Sequence, residues 1–463
     1  AIKILGREFW NMDVKSMCEG YREEIIKRLG ELVSINSEQS EADADAPFGK
    51  GPKEALHAAL DMLEKDGLKT VNLDNYIGYG EMGEGDQLIA IVGHLDVVPA
   101  RREDGWNTDP YTMVEKDGIL YGRGVSDDKG GVVASMIAMK VIKDMNIPVN
   151  KRIRLIMGCN EETGSACLKY YVDHDEQPDY GFTPDGDFPC INGEKGIMDA
   201  HYVSRKTNII DIDGGTAGNI VCSSCYIVVE KCSFSKKKLE DYFNNNNIEF
   251  EVVDQDESVK ITVQGVAAHA STPTLGVNAI SYLLTGLKEA GFQDPFVDFY
   301  CSRIGLNTNG EGLGLNLKDE YSDLTLNCGY IHMNDGVISG NIDVRFPVTM
   351  TGKQIVKACS KYLEDEGGEI IVDSTHDPLY YSPDSPLIQS LCDAYTEVTG
   401  DERDPLVIGG GTYAKGINNT VAFGCAFPDV DYKIHNANEW CPVDDLVKQV
   451  EIYVAGILKL LEL

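Results

Sequence analysis

Between residues 88 and 174 short apolar runs alternate with longer ones, and that rhythm leaves few folds open. LIAIVG (88–93) is an unbroken apolar run of strand length. GGVVASMIAMKVIKDM (130–145) is too long for a strand and reads as a largely buried helix. KRIRLIMG (151–158) alternates, with Ile153, Leu155 and Met157 on one face, and GSACLKYYVDH after it reads as another helix. Upstream, Ile25, Ile26, Leu29, Leu32 and Val33 recur at helical spacing within 20–34, and Pro52 opens a second helix over 52–66. Strands and helices in this alternation predict an α/β sheet flanked by helices.

The texture changes near residue 192. A charged helix near 235–246 precedes strands in EFEVV and KITVQG. A helix over 277–290 follows, then strands in SDLTLNCGYI and VISGNIDVRF, then a helix in 352–364. This is the pattern of a second α/β unit built on an antiparallel sheet. The first pattern returns with PLIQSLCDAYTEVTG, a helix stopped by Gly400. A closing helix over 443–463 carries Leu446, Val447, Val450, Val454, Ile457, Leu458 and Leu461 on one side. The expected organisation is a first domain in two parts, 1–191 and 383–463, with a second domain, 192–382, inserted into it. A chain of 463 residues exceeds one ordinary core, which agrees.

Charge narrows the function. A formal net charge of −34 argues against nucleic acid as a partner and suits a site that gathers cations. No apolar run is long enough to span a bilayer, so no membrane partner is expected. The start, AIKILGREFWNMD, lacks a basic region followed by an apolar core, so a secretory signal is not expected either. Thirteen cysteines scattered without a framework point to reduced thiols and a cytoplasmic location. Cys222-Ser-Ser-Cys225 has the spacing of a redox or zinc half-site, but no second pair follows it.

The polar residues that interrupt the first pattern fall at strand ends. VGHLDVVPA (92–100) closes an apolar strand with His94 and Asp96, which alternation points the same way. They read as a metal-ligating imidazole beside a carboxylate, or as a polar turn capping a strand. YGRGVSDDKGG (121–131) sets Asp127 and Asp128 in a glycine-rich loop before a helix, where helix capping is the other use. GCNEETGS (158–165) sets Glu161 and Glu162 directly after a strand, FTPDGDFP (182–189) offers Asp185, and VDYKIHNANEW (430–440) offers His435. Loops at the carboxyl ends of strands can converge on one crevice. Two imidazoles and several carboxylates suit zinc, and also manganese or cobalt; the inventory fits two ions if one carboxylate bridges them.

GHLDVVPA, YGRGVSDDKGG, NEETGS, TPDGDFP, GVAAHASTP, IGGGTYAK and IHNANE follow one another here in an order that resembles the two-zinc metallopeptidases. That family includes acetylornithine deacetylase, succinyl-diaminopimelate desuccinylase, carboxypeptidase G and aminoacylase. INGEKG, DGGTAGN and the length make the chain most similar to the peptidase V-type dipeptidases. The resemblance implies a zinc-peptidase catalytic domain, a mixed sheet flanked by helices, with an inserted α/β lid domain. It implies two Zn2+ per chain, with Mn2+ or Co2+ as substitutes. Asp127 would bridge the ions, His94 and Asp185 would complete one site, and Glu162 and His435 the other. Asp96 would hydrogen-bond the far nitrogen of His94, and Glu161 would be the general base toward the bridging water. From the lid, His269 would stabilise the oxyanion and Asn219 would do related work. Arg345 would hold the substrate's C-terminal carboxylate with its planar fork, helped by backbone N–H groups of Gly409, Gly410, Gly411 and Thr412.

The expected activity is hydrolysis of small dipeptides with a free amine and a free carboxylate, by a monomer. An N-acyl-amino-acid deacylase using the same site and an aminopeptidase are the alternatives. A metal-binding protein without catalysis would have no use for Glu161. Two features stand outside the pattern. The segment AIKILGREFW precedes where such a chain is expected to begin, and Cys222, Cys225 and Cys232 sit near Asn219, where oxidation would reach the lid.

Overall fold

The computed structural model describes residues 13–463, so AIKILGREFW lies outside the described residues. The fold is mixed α/β, as expected. Two compact units emerge. One takes the chain up to Gly193, then Tyr381–Leu406 and Gly411–Leu463; the other takes Glu194–Tyr380 together with Val407–Gly410. The last piece departs from a simple insertion. The Lys195 amide donates to the Ile408 carbonyl at 2.9 Å, tying the 407–410 stretch to the start of the second unit.

In the first unit the sheet runs, in space, through Lys69–Leu73, Ile77–Met82, Arg152–Gly158, Leu88–His94, Tyr180–Thr183 and Thr420–Ala422. The first two strands form an antiparallel edge. The remaining four are parallel, with His94 opposite Gly158, Ile91 opposite Phe182 and Val421 opposite Phe182. Their carboxyl ends therefore share one edge. Leu88–His94 is buried along its whole length. Arg152–Gly158, which the alternation gave a single apolar face, is buried after its first residue because it is an interior strand of a sheet covered by helices, Lys129–Asp144 among them. Arg154 survives there, 3% exposed, by pairing with Glu81, Asp175 and Glu176 and stacking 3.9 Å over the Tyr79 ring.

Helices cover this sheet. Lys129–Asp144 and Val443–Leu460 pack together, and Pro386–Thr399 packs on the latter. Lys50–Lys65 starts two residues before Pro52 and lies on the antiparallel edge. Glycine lets it approach closely: a Cβ at Gly80 would stand 2.7 Å from a Leu63 methyl. A small sheet pairs Trp440–Pro442 with Ile119–Tyr121, and this brings the 435–440 segment beside the 122–127 loop.

The second unit is one antiparallel sheet. Its strands run Glu249–Asp254, Ser258–Gln264, Ser224–Glu230, Asp211–Gly214, Ile331–Asn334, Val337–Phe346, Gly196–Ser204 and Gly368–His376. Lys236–Asn245, Ala279–Glu289 and Pro295–Arg303 pack on it around a core containing Phe243, Leu283, Phe296 and Tyr300. The helix expected in 352–364 ends at Cys359, and the chain turns through Ser360–Tyr362 into a strand. Among the described residues no helix is long and apolar enough to cross a membrane.

Candidate metal centre

The shared edge of the parallel strands gathers the first unit's polar residues. His94 ends one strand and is 1% exposed. Its Nε2 lies 3.1 Å from Asp127 Oδ1 and 3.6 Å from Asp185 Oδ2. His435 Nε2 lies 2.8 Å from Asp127 Oδ2 and 3.1 Å from Glu162 Oε1. The two oxygens of Asp127 thus face two different imidazoles. Across each of these gaps a proton or a metal ion can sit.

The electrostatics favour a cation. Burial first, and then Asp127, push the Asp185 carboxyl up to about 7. Burial and Asp127 raise Glu162 as well, and burial with Asp185 raises Glu161 well above the carboxylate range. Burial pulls the two imidazoles down, but their carboxylate partners outweigh it and raise both. So many acids in one buried place repel one another unless positive charge is supplied. One ligand atom each from His94, Asp127 and Glu162 fall within 4.8 Å of one another, as do those from His94, Glu161 and Asp185. Nitrogen and oxygen donors in this mixture fit zinc.

Asp96 faces both His94 and the two glutamates. Its carboxylate stands 3.6 Å from His94 Nδ1, beyond hydrogen-bond length. The imidazole instead meets the Asp96 backbone carbonyl at 3.0 Å. A carbonyl can only accept, so Nδ1 carries a proton and Nε2 is the nitrogen left to face Asp127, with either its own proton or a metal ion between them. The Asp96 carboxylate accepts the amides of Glu161 and Glu162, at 2.9 and 3.0 Å. It holds the turn that presents both glutamates.

Two further acids brace the site, and Glu439 was not named from sequence. Glu439, fully buried, pairs with Arg123 at 2.8 Å and accepts the amides of Gly124, Ser126 and Asp127. It fixes the loop that carries Asp127. Asp128 makes no helix cap with its side chain; it accepts the His94 amide at 3.0 Å. The signal for Glu439 was its place four residues after His435.

In the second unit, the exposed residues Asn219 and His269 sit on two paired loops. The Ala270 amide donates to the Asn219 carbonyl at 2.8 Å, and Ile220 bridges His269. Asn327 and Asn341 brace the first loop by donating to the Gly218 and Ile220 carbonyls. The Ser271 amide donates to His269 Nδ1 at 3.2 Å, which puts the proton of the neutral ring on Nε2. Arg345 is not an open fork. Its Nε and Nη2 grip Asp343 at 2.6 and 2.8 Å, and Nη1 donates to the Gly409 carbonyl at 3.2 Å. Asp343 was missed, although two positions apart on a strand means one face. Gly409 lies against Ser271, where a Cβ would stand 2.5 Å from the serine's own, so Arg345, Gly409 and the His269 turn form one group. Gly410 falls in the same unit. Gly411 and Thr412 fall in the first unit, where the Thr412 hydroxyl accepts the Ala414 amide and caps a short turn of helix. Cys222 and Cys225 are buried free thiols and Cys232 is an exposed one.

Comparison with known proteins agrees with this geometry. Residues 90–459 match the model of Peptidase family M20/M25/M40. A Bacillus subtilis (strain 168) protein named "Putative dipeptidase YtjP" is 34% identical over 456 residues, covering 95% of this chain and 97% of its own length. Among solved structures, human carnosine dipeptidase 1 superposes with a TM-score of 0.62 at 17% identity, covering 97% of this chain and 98% of that one. A Staphylococcus aureus tripeptidase does so with a TM-score of 0.58 at 17% identity, covering 95% and 98%.

Proposed function

This chain belongs to peptidase family M20/M25/M40 and is a metal-dependent peptidase, and from that we propose a cytoplasmic dipeptidase using two zinc ions. The observation that carries the reading is Asp127, whose two oxygens each face an imidazole while Glu161 stands alongside. Asp127 would be shared between the ions, with His94 and Asp185 holding one and Glu162 and His435 the other. Bound zinc supplies Lewis acidity, polarising the scissile carbonyl and lowering the pKa of water; Mn2+ or Co2+ can substitute.

The chain's own groups do the rest. Glu161 takes a proton from the attacking water and later gives one to the leaving amine. Asp96 positions it by gripping its amide. The 192–382 insertion acts as a lid, from which His269 donates its Nε2 proton to the carbonyl oxygen as charge develops there, with Asn219 beside it. Arg345, through Nη1, and the amides of Gly409 to Thr412 hold the substrate's C-terminal carboxylate. We take the chain to act as a monomer, and the free thiols support a reducing compartment.

The test is a substrate ruler. Metal-loaded protein is assayed on a dipeptide, its amide, a tripeptide and an N-acetyl amino acid. The dipeptide should lead the amide and the tripeptide by at least ~100-fold in kcat/KM, because neither brings a carboxylate to Arg345 Nη1 and the 409–412 amides. Equal rates on peptide and amide would turn the reading to an aminopeptidase, and preference for the N-acetyl compound to a deacylase.

A further inference from the structure

We propose that Tyr413 is a positioning residue for the metal centre, holding the His94 imidazole at the angle its ion needs; the inference rests on the two-zinc reading. Tyr413 follows Thr412 in the chain and is 1% exposed. Its ring meets the His94 ring edge to face, with centroids 6.1 Å apart and planes at 85°. Aromatic pairs attract at this separation and angle.

His94 needs such a neighbour. The Asp96 carbonyl pins its Nδ1 at 3.0 Å, and that bond fixes one corner of the ring. A perpendicular ring against it limits the swing about the bond from Cβ to the imidazole, and with it the direction of Nε2. A ligand serves a metal when it is held to within about 10–20° of its productive direction by side chains that are themselves locked.

Tyr413 is locked. Its hydroxyl lies 2.9 Å from Cys167 Sγ. It also fills the space beside Gly158, where a Cβ would collide with the hydroxyl oxygen. Gly158 pairs with His94 across the sheet, and its carbonyl accepts the Leu95 amide at 2.9 Å. Cys167 belongs to the helix Ala166–His174, whose start is tied to the glutamate turn. There the Asn160 side chain accepts the Ala166 amide at 2.8 Å, and the Asn160 carbonyl accepts the Ser165 amide at 2.7 Å. One tyrosine therefore bears on His94, on the strand beside it and on the helix that follows Glu161 and Glu162. All of these residues fall in the first unit. A tyrosine that only filled the core would, when replaced, weaken the fold without favouring one ion over the other.

The test reads metal rather than turnover. The full chain is loaded with Co2+, whose visible absorption follows its ligand geometry, and both affinities are measured by competition with a chelator. His94→Ala identifies the ion that His94 holds. Tyr413→Leu should weaken that ion about 10–100-fold, shift its absorption and leave the other ion within about 3-fold. Tyr413→Phe, which keeps the ring, should stay within about 3-fold of the parent at both ions, with an unshifted spectrum. Equal weakening at both ions, no weakening at either, or a Tyr413→Phe chain as damaged as Tyr413→Leu overturns the proposal. If Tyr413→Leu does not fold, Tyr413→Met is judged by the same criteria. If neither folds while Tyr413→Phe does, the ring serves the core rather than His94 and the proposal falls. A parent chain that binds fewer than two ions overturns the two-zinc reading instead, so the two failures are distinct.

Discussion

At Asp127 one carboxylate meets two imidazoles, and each neighbour can be removed by itself. Asp127→Ala should release both metals, while His435→Ala should chiefly weaken one site; elemental analysis after dialysis reads this directly. Glu161→Gln should keep its metals while turnover falls by about 10²–10⁴-fold or more, whereas Glu162→Gln should shed metal. Glu439→Gln leaves the Arg123 guanidinium buried without its anion. It should cost about 3–5 kcal/mol in denaturant unfolding and weaken metal binding about 10–100-fold through the Asp127 loop. His94, Asp127, Glu162, Asp185 and His435 stand out in sequence as polar residues at a strand end or in a loop after one, and the structure brings their side chains together. Glu439 was not, since its partners at 123–127 are more than 300 residues away along the chain and become neighbours only through the pairing of Trp440 with Tyr121. Asp96 stands out as a companion of His94, but its hold on the Glu161 and Glu162 amides is not legible, since alternation says which face a side chain takes and not which distant donors it meets.

Among elements, the join between the helices Arg22–Val33 and Lys50–Lys65 rests on charge. Arg28 clasps Asp66, the residue closing the second helix, with both contacts at 2.7 Å, and Lys140 adds a third at 3.1 Å. Burial works to raise the Asp66 carboxyl, but Arg28 and Lys140 outweigh it and hold it below the usual range. A carboxyl lowered by folding adds stability above its unfolded pKa and loses it as pH falls through the folded value. Asp66→Asn should therefore cost about 1.5–3 kcal/mol at pH 7, and the gap to the parent should close below about pH 4. Denaturant midpoints measured from pH 3 to 7 check both statements. Elements with strong periodicity, such as the helices over 130–145 and 443–463, were legible. The strands Gly196–Ser204 and Gly368–His376 were not: Gly196–Ser204 alternates in burial, but it buries Gly196 and Ser204 and leaves Ile197 and Val203 partly exposed, so apolar and buried positions do not coincide.

For the molecule as a whole, the clustered acids make stability depend on metal. Chelation should abolish peptidase activity and lower the thermal midpoint. At a free metal concentration 1,000 times Kd the bound ion contributes about 4 kcal/mol, so refilling with Zn2+, Mn2+ or Co2+ should restore the midpoint in proportion to affinity. A net charge of −34 adds self-repulsion, and chelation should bite hardest at low salt. The return of the α/β rhythm after residue 385 was legible in the sequence. The grouping of Val407–Gly410 with the second unit was not, since the residues that tie it there, Lys195, Ser271 and Arg345, are distant along the chain.

That interrupted first unit also sets a timetable for synthesis. Tyr180–Thr183 leaves the ribosome early, but its parallel neighbour Thr420–Ala422 emerges only after the whole second unit. At about 5–20 residues per second the wait is on the order of 10–50 s. Through that interval the nascent sheet has an open strand edge, and the face of Lys129–Asp144 that Val443–Leu460 will cover is still wet. The second unit is contiguous apart from Val407–Gly410 and can complete most of its core meanwhile. The half-built first unit is the species that chaperones must shield.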